Sequence, residues 1–294
     1  MRQLILLFLL SVPVIAQKSF FVKDRSTNEP IPYTAVFTDN GNFKRNAEPD
    51  GSFIIPSEIL DEVFVFDAVG YELKKQLLTD IVFLEPKSEV LDEIVIVPSL
   101  GSKEVKVGRI RKMIPFSGYS YGMAATRDNQ AVWSFGRMFP YYKEYDETPF
   151  IKKATFLLKS KDKKSTYGIK IYEADENGKP NQLLHDNVIT GVAEKGLKKS
   201  QIDLSELNIR FPKNGIVIVF EWLTIQDNLV EDTNNNEIRL KYNPTFEAEE
   251  IKNPNEALVK LSAAQTEWQT TMEANIIFNE SKSYTLMCEL TLTN

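Results

Sequence analysis

The chain has a single cysteine, Cys288, and a single histidine, His185, in 294 residues. One thiol cannot close an intramolecular disulfide, so the fold must rest on its core. One imidazole and one thiol cannot furnish a zinc centre of the usual nitrogen and sulfur type, which excludes the catalytic zinc of carboxypeptidases; no cofactor is expected. Basic charge is not in excess, with 35 Lys and Arg against 41 Asp and Glu. Nucleic-acid binding, which relies on a cationic footprint, is therefore not expected. After the first residues no apolar run approaches the ~20 residues of a spanning helix.

What is present begins with an export signal, expected over residues 1–16. Arg2 is followed by the apolar run Leu4 to Leu10, and Val14-Ile15-Ala16 carries small residues at the two positions that determine cleavage. The mature chain is expected to be exported, to the periplasm or the outer-membrane surface, with no transmembrane segment. Charge then divides unevenly. Residues 17–98 carry 15 acidic and 8 basic side chains, whereas residues 99–294 carry 26 of each. Two units with different surfaces follow from that split.

Both units read as β structure, so the fold class expected is all-β: a small sandwich over residues 17–98 and a larger, jelly-roll-like sandwich over residues 113–294. Short Val, Ile, Phe, Tyr and Thr runs alternate with turn-forming Gly, Asn, Asp and Pro. In the first unit the runs fall at 19–23, 33–38, 52–55, 63–67, 71–77, 81–84 and 93–97. Gly51 and Gly70 suit turns that need positive φ, and Ser57 suits the cap of a short helical turn over 57–62. Residues 99–112, with five basic side chains, read as a linker or an edge segment. In the second unit the runs fall at 130–135, 151–160, 168–173, 187–192, 198–203, 216–223, 274–278 and 283–293. A polar loop is expected at 231–237 and a short helix within 255–271. The run Ile216 to Leu223 is apolar on both faces except at Glu221, which predicts a central strand covered on both sides. Tyr284, Leu286, Cys288, Leu290 and Leu292 share one face of a period-2 strand, which predicts a buried, inert thiol.

The first unit carries, in order, Val22-Lys23-Asp24, Glu29-Pro30-Ile31-Pro32 with Ala35 and Val36, Asp50-Gly51-Ser52-Phe53, Val69-Gly70-Tyr71 and Leu91-Asp92-Glu93-Ile94-Val95-Ile96-Val97. With them, residues 19–97 resemble the carboxypeptidase regulatory-like (transthyretin-like) domain that precedes the plug of many TonB-dependent outer-membrane transporters. The chain departs from that family at Phe20, where glycine is usual, and at Arg45 to Asp50, where a Thr-rich segment is usual. The resemblance implies a non-catalytic module of an exported envelope protein. It does not imply transport, because too few residues remain for a transmembrane barrel. The second unit is broadly similar to envelope β-sandwich domains that accompany such modules.

Three chemistries compete on the residues themselves. Gly118-Tyr119-Ser120-Tyr121-Gly122 matches G-x-S-x-G, but a nucleophile elbow needs a strand before the serine and a helix after it, with His185 as base. An accidental match in a strand accounts better for the string. A calcium site at Asp232, Asn234, Asn236 and Glu237 has no EF-hand spacing, and a solvated loop accounts better for it. Glycosidase chemistry needs two carboxylates, and only Glu221 stands out. Burial would raise its pKa or demand a cationic partner such as Arg137. No catalytic residue is assigned, and the protein is expected not to be an enzyme. The ligand-binding candidates are the aromatics Tyr119, Tyr121, Trp133, Tyr141, Tyr142 and Tyr145, together with Glu221. Clustered Tyr and Trp suit sugar stacking or a protein anchor, although such rings also fill sandwich cores. An envelope binding or scaffolding role, acting on an envelope protein partner and accessory to an uptake system, is the leading expectation. Carbohydrate binding by the second unit is the alternative, and a glycosidase or esterase-type hydrolase the third.

Overall fold

The computed structural model describes residues 18–87, 101, 103–110, 119–125, 134–161, 163–234, 237–262, 264–274 and 282–294. The protein is all-β; among the described residues the helical elements are five short 3-10 turns. The leader, the 93–97 run and Trp133 lie outside the described residues.

Residues 19–84 build two sheets. One has three strands in the order Ser52–Ile54, Ser19–Asp24, Ile81–Leu84, and the other four in the order Lys44–Asn46, Ala35–Thr38, Val63–Asp67, Lys74–Leu77. Alternation in each strand drives one face inward. Phe20, Val22, Phe53, Val82 and Leu84 from the first sheet meet Val36, Phe64 and Phe66 from the second in one buried cluster. Lys44–Asn46 was not expected as a strand, because its three polar residues carry no apolar alternation. The 57–62 turn is shorter than expected, at Ser57–Ile59, and Pro56 rather than Ser57 stands at its cap.

Parts of the quoted segments meet within this unit. Asp24 accepts hydrogen bonds from Ser26 and Thr27 and from the Tyr71 hydroxyl, 2.9 Å away. The Val22 amide donates to the Gly51 carbonyl at 2.9 Å. Gly51 has φ +75°, and a Cβ there would lie 2.7 Å from the Val22 carbonyl oxygen and 3.0 Å from Pro30. Only glycine fits that turn.

Residues 104–293 build two larger sheets. The seven-stranded one runs Pro180–Leu183, Ser165–Ala174, Ile216–Trp222, Ser134–Phe139, Ala257–Lys260, Gln269–Thr270, with Ile189–Ala193 also paired to Ser165–Ala174. The eight-stranded one runs Leu229–Asn234, Glu237–Ile251, Phe150–Ser160, Cys288–Thr293, Glu104–Gly108. Gly196–Asp203 joins Phe150–Ser160, while Ser283–Leu286 and Tyr119–Ala125 join Glu237–Ile251. Their facing sides enclose the main core. Phe220 lies between Tyr167, stacked at 5.1 Å, and Phe246, edge-on at 5.4 Å, with Trp222 and Phe156 against it. Truncating a fully buried aromatic such as Phe220 to alanine would cost about 3–5 kcal/mol.

Several local expectations change. Of the two readings of 99–112, linker or edge segment, Glu104–Gly108 takes the second, as an edge strand paired with Cys288–Thr293. The expected polar loop is a hairpin, with Leu229–Asn234 antiparallel to Glu237–Ile251. The helix expected within 255–271 is instead a 3-10 turn, Pro254–Glu256, followed by strand Ala257–Lys260. The apolar triad Ala257-Leu258-Val259 carries no period that separates strand from helix, and sheet pairing decides it.

Ile216–Trp222 is covered on both faces, as its composition predicted. Ile216, Ile218, Phe220 and Trp222 enter the main core, while Val217 and Val219 join Ala174, Leu258 and Trp268 on the other side. That second side faces the four-stranded sheet, so the outer face of residues 35–67 lies against the outer face of the seven-stranded sheet. Asn46 is the central tie. Its amide donates to Thr224 Oγ1 at 2.9 Å, and its Oδ1 accepts from Thr224 N at 3.0 Å and Oγ1 at 3.1 Å. Glu48 accepts from the Gln226 amide at 2.8 Å. Gly70, with φ +82°, brings its backbone so near the Asp186 carbonyl that a Cβ would lie 2.9 Å from that oxygen.

Candidate functional site

Glu221 does not meet Arg137. In the antiparallel pairing Ser134 stands opposite Glu221 and Arg137 opposite Ile218, so a three-residue offset puts the arginine on the other face of the sheet. On the neighbouring strand Gly168 stands opposite Glu221, and Lys170, two residues on, shares its face. Lys170 Nζ lies 3.3 Å from Glu221 and 3.5 Å from Asp67, which comes from the four-stranded sheet. Burial opposes a charge on Lys170, but Glu221 and Asp67 outweigh it and hold the amine above its ordinary range. Lys170 in turn holds the Asp67 carboxyl below its ordinary value. Glu221 is thus part of an ionic joint between sheets.

The tyrosines separate into two places. Tyr141, Tyr142 and Tyr145 come together around the 3-10 turn Lys143–Glu147. The Tyr145 ring sits edge-on to Tyr141 at 6.2 Å and to Tyr142 at 5.7 Å, and tilts against Phe211 at 5.1 Å. Tyr145 is buried, and burial pushes its hydroxyl up to about 12. It supports the cluster rather than offering a face. Tyr142 is 50% exposed, and Lys213 bonds the Tyr141 hydroxyl and Asp146 beside it. Tyr119 and Tyr121 stand elsewhere, opposite Ala248 and Phe246 on the eight-stranded sheet.

The serine of the G-x-S-x-G string is the second residue of the antiparallel strand Tyr119–Ala125, opposite Glu247. Its backbone is strand, not a strand-to-helix turn. His185 Nε2 accepts from the Ile171 amide at 3.1 Å and its Nδ1 lies 2.7 Å from the Asn187 carbonyl. Both ring nitrogens are thereby occupied by backbone, and burial holds the imidazole below its ordinary pKa. Cys288 is buried, with its thiol pushed up to about 12 by desolvation. Among the described residues no group of three His, Cys, Asp or Glu is placed to hold a metal ion.

One cleft was not expected. It has a volume of about 580 Å³, and Gly108, Arg109, Arg137, Glu249, Asn253 and Glu256 are among its lining residues. Arg137 is 6% exposed, lies 4.7 Å over the Phe139 ring, and its Nη1 donates to Glu249 Oε1 at 2.5 Å and to the Leu286 and Cys288 carbonyls. Arg109 reaches the same carboxylate at 3.6 Å from the surface side. Burial raises the Glu256 pKa, only partly offset by Arg137. The signal was present in the sequence: Arg137 interrupts the inward series Phe135, Phe139, and a charge on an apolar face must find a partner.

No protein-family model and no curated protein matches the chain. The solved structures similar to it include two of the same protein. One holds the cysteine protease and lectin-like domains of Cwp84, a surface layer associated protein of Clostridium difficile; the likeness covers 62% of this chain and 37% of that one, at 10% identity and TM-score 0.36. The other is a single-substitution variant of the clostridial cysteine protease Cwp84 after propeptide cleavage, with 95% of this chain and 70% of that one covered, at 9% identity and TM-score 0.39. The chain therefore spans well under two thirds of the first of these structures. Among the described residues no helix is long and apolar enough to cross a membrane.

Proposed function

We propose that this protein is a non-enzymatic, exported cell-envelope binding or scaffolding protein, accessory to an uptake system in the outer membrane. Its first unit acts as a transthyretin-like spacer and its second engages the partner. The observation that carries this reading is the ligand-sized cleft floored by the buried Arg137–Glu249 pair. Its volume falls in the range of binding pockets, and the Arg137 and Glu249 pair at its floor is held by strands. The groups that would have to perform chemistry are meanwhile engaged elsewhere: Glu221 by Lys170, His185 by two backbone groups, Cys288 by the core. Crosslinking of native envelope fractions, followed by capture of the wild type and of Arg109→Glu, tests it. One envelope protein retained by the wild type and lost from the variant is expected. Recovery of the wild type free of any partner would count against it.

The half-exposed Tyr142 ring, backed by Tyr145, favours carbohydrate binding as the second reading, since an exposed aromatic on a rigid turn offers a stacking face.

A further inference from the structure

Between the four-stranded and seven-stranded sheets lies a polar cavity of about 110 Å³. Three amines line it, Lys44, Lys170 and Lys260, against two carboxylates, Asp67 and Glu221. Lys170 lies between both carboxylates, at 3.3 and 3.5 Å. Lys260 lies over the Trp268 ring at 5.3 Å, a partial compensation. Lys44 is only 6% exposed, and among the described residues it makes no ion pair and no side-chain hydrogen bond. Its position is set by the sheet: it stands opposite Phe37, which stands opposite Val65, on the face turned toward the second unit. Both carboxylates pair with Lys170, which leaves Lys44 and Lys260 without an ion-pair partner among the described residues.

We propose that this cavity is an anion site, taking a small inorganic anion of the size of chloride or phosphate between Lys44, Lys260 and Lys170. Two features besides the charge count support it. The volume admits an ion and water but not a macromolecule or a sugar. Burial, together with Lys170, pushes the Lys44 and Lys260 amines below their ordinary value, with Glu221 and Asp67 only partly offsetting it. An anion would reverse that, because an opposite charge within a few ångströms favours the ammonium form. The bound ion would also join Lys44 of one sheet to Lys260 and Lys170 of the other. It therefore belongs to the native arrangement and stabilises it by mass action. This inference stands apart from the partner-binding reading and does not depend on the Arg137 cleft.

The test is thermal unfolding of the full mature chain at constant ionic strength in sodium gluconate, whose anion is too large to enter, sodium chloride and sodium phosphate. Chloride or phosphate is expected to raise Tm over gluconate by about 2–4 °C, saturably with concentration; the salt that does so identifies the anion. In Lys44→Met the increment should vanish. Equal melting of the wild type in all three salts, or an undiminished increment in Lys44→Met, would overturn the proposal. Should Lys44→Met fail to fold, chloride-35 and phosphorus-31 NMR of the wild type decide it. Saturable broadening of the chloride-35 line, or of the phosphorus-31 line in phosphate, supports the site, and free-ion linewidths for both anions reject it.

Discussion

Lys170 Nζ stands 3.3 Å from Glu221 Oε1 across adjacent strands of the seven-stranded sheet, and Asp67 reaches the same amine from a different sheet at 3.5 Å. The pair was visible in the sequence only as half of itself: an acid in an otherwise apolar strand. Its consequence is mechanical. Glu221 holds Lys170 within its own sheet, and Asp67 carries that amine's contact across to the next layer.

Glu221→Gln should therefore act on stability rather than turnover. Removing one partner of a fully buried pair costs about 3–5 kcal/mol, and the partial exposure of this one lowers the expectation to about 1–3 kcal/mol. Urea unfolding measures it. A variant as stable as the wild type would show that the joint contributes nothing.

Asn46→Ala should cost about 2–4 kcal/mol, because it strands the Thr224 amide and hydroxyl, and the Tyr33 carbonyl that Asn46 Nδ2 bonds at 2.9 Å. The paired control is Asn46→Asp, which keeps the acceptor for Thr224 and should lose less. The order of the two urea midpoints is the readout.

His185 is the sole histidine, so its titration can be followed without ambiguity. Burial is the main cause of its lowered pKa, and Lys170 adds to it, against the Asn187 carbonyl that favours the cation. The sign follows directly. A folded pKa below the ordinary 6.5 means that the unfolded chain binds the proton first as pH falls. The contribution of His185 to stability is thus complete above 6.5 and is lost as pH falls from there to the folded pKa. NMR should show a neutral ring with hydrogen on Nδ1 at pH 7 and a midpoint below 6.5. A midpoint at or above the ordinary value would contradict the buried placement.

Alanine at Tyr141 and Tyr142 distinguishes the carbohydrate reading. Retention on a polysaccharide column should be lost in the double variant while melting stays cooperative, since the core partner Tyr145 is kept. Unchanged retention would remove that reading.

Much of the architecture was legible because alternation is a local signal. The covered strand Ile216–Trp222 and the single face shared by Tyr284, Leu286, Cys288, Leu290 and Leu292 came directly from it, and all five of the latter lie in the main core. What stayed hidden was register. Arg137 looked like a partner for Glu221 until the pairing put it opposite Ile218, which sends it to Glu249 instead. Lys44–Asn46 has no apolar pattern, because its outward side chains are used to meet another sheet rather than water. Tyr145 read as one more ligand-binding ring of the cluster, and the packing of Phe211 against it makes it support. The meeting of Tyr71 with Asp24 lies between these cases: both residues were singled out, and their contact across 47 positions came only with the fold.

Asn46–Thr224 and the Lys170 cluster fasten the sheets of residues 19–84 to the seven-stranded sheet, which predicts that the two move as one body. Backbone residual dipolar couplings on deuterated protein read out that rigidity without perturbing it. One alignment tensor is predicted to fit the couplings of residues 19–84 and of residues 134–260 together. Two tensors of clearly different magnitude would show independent motion and refute the fastening.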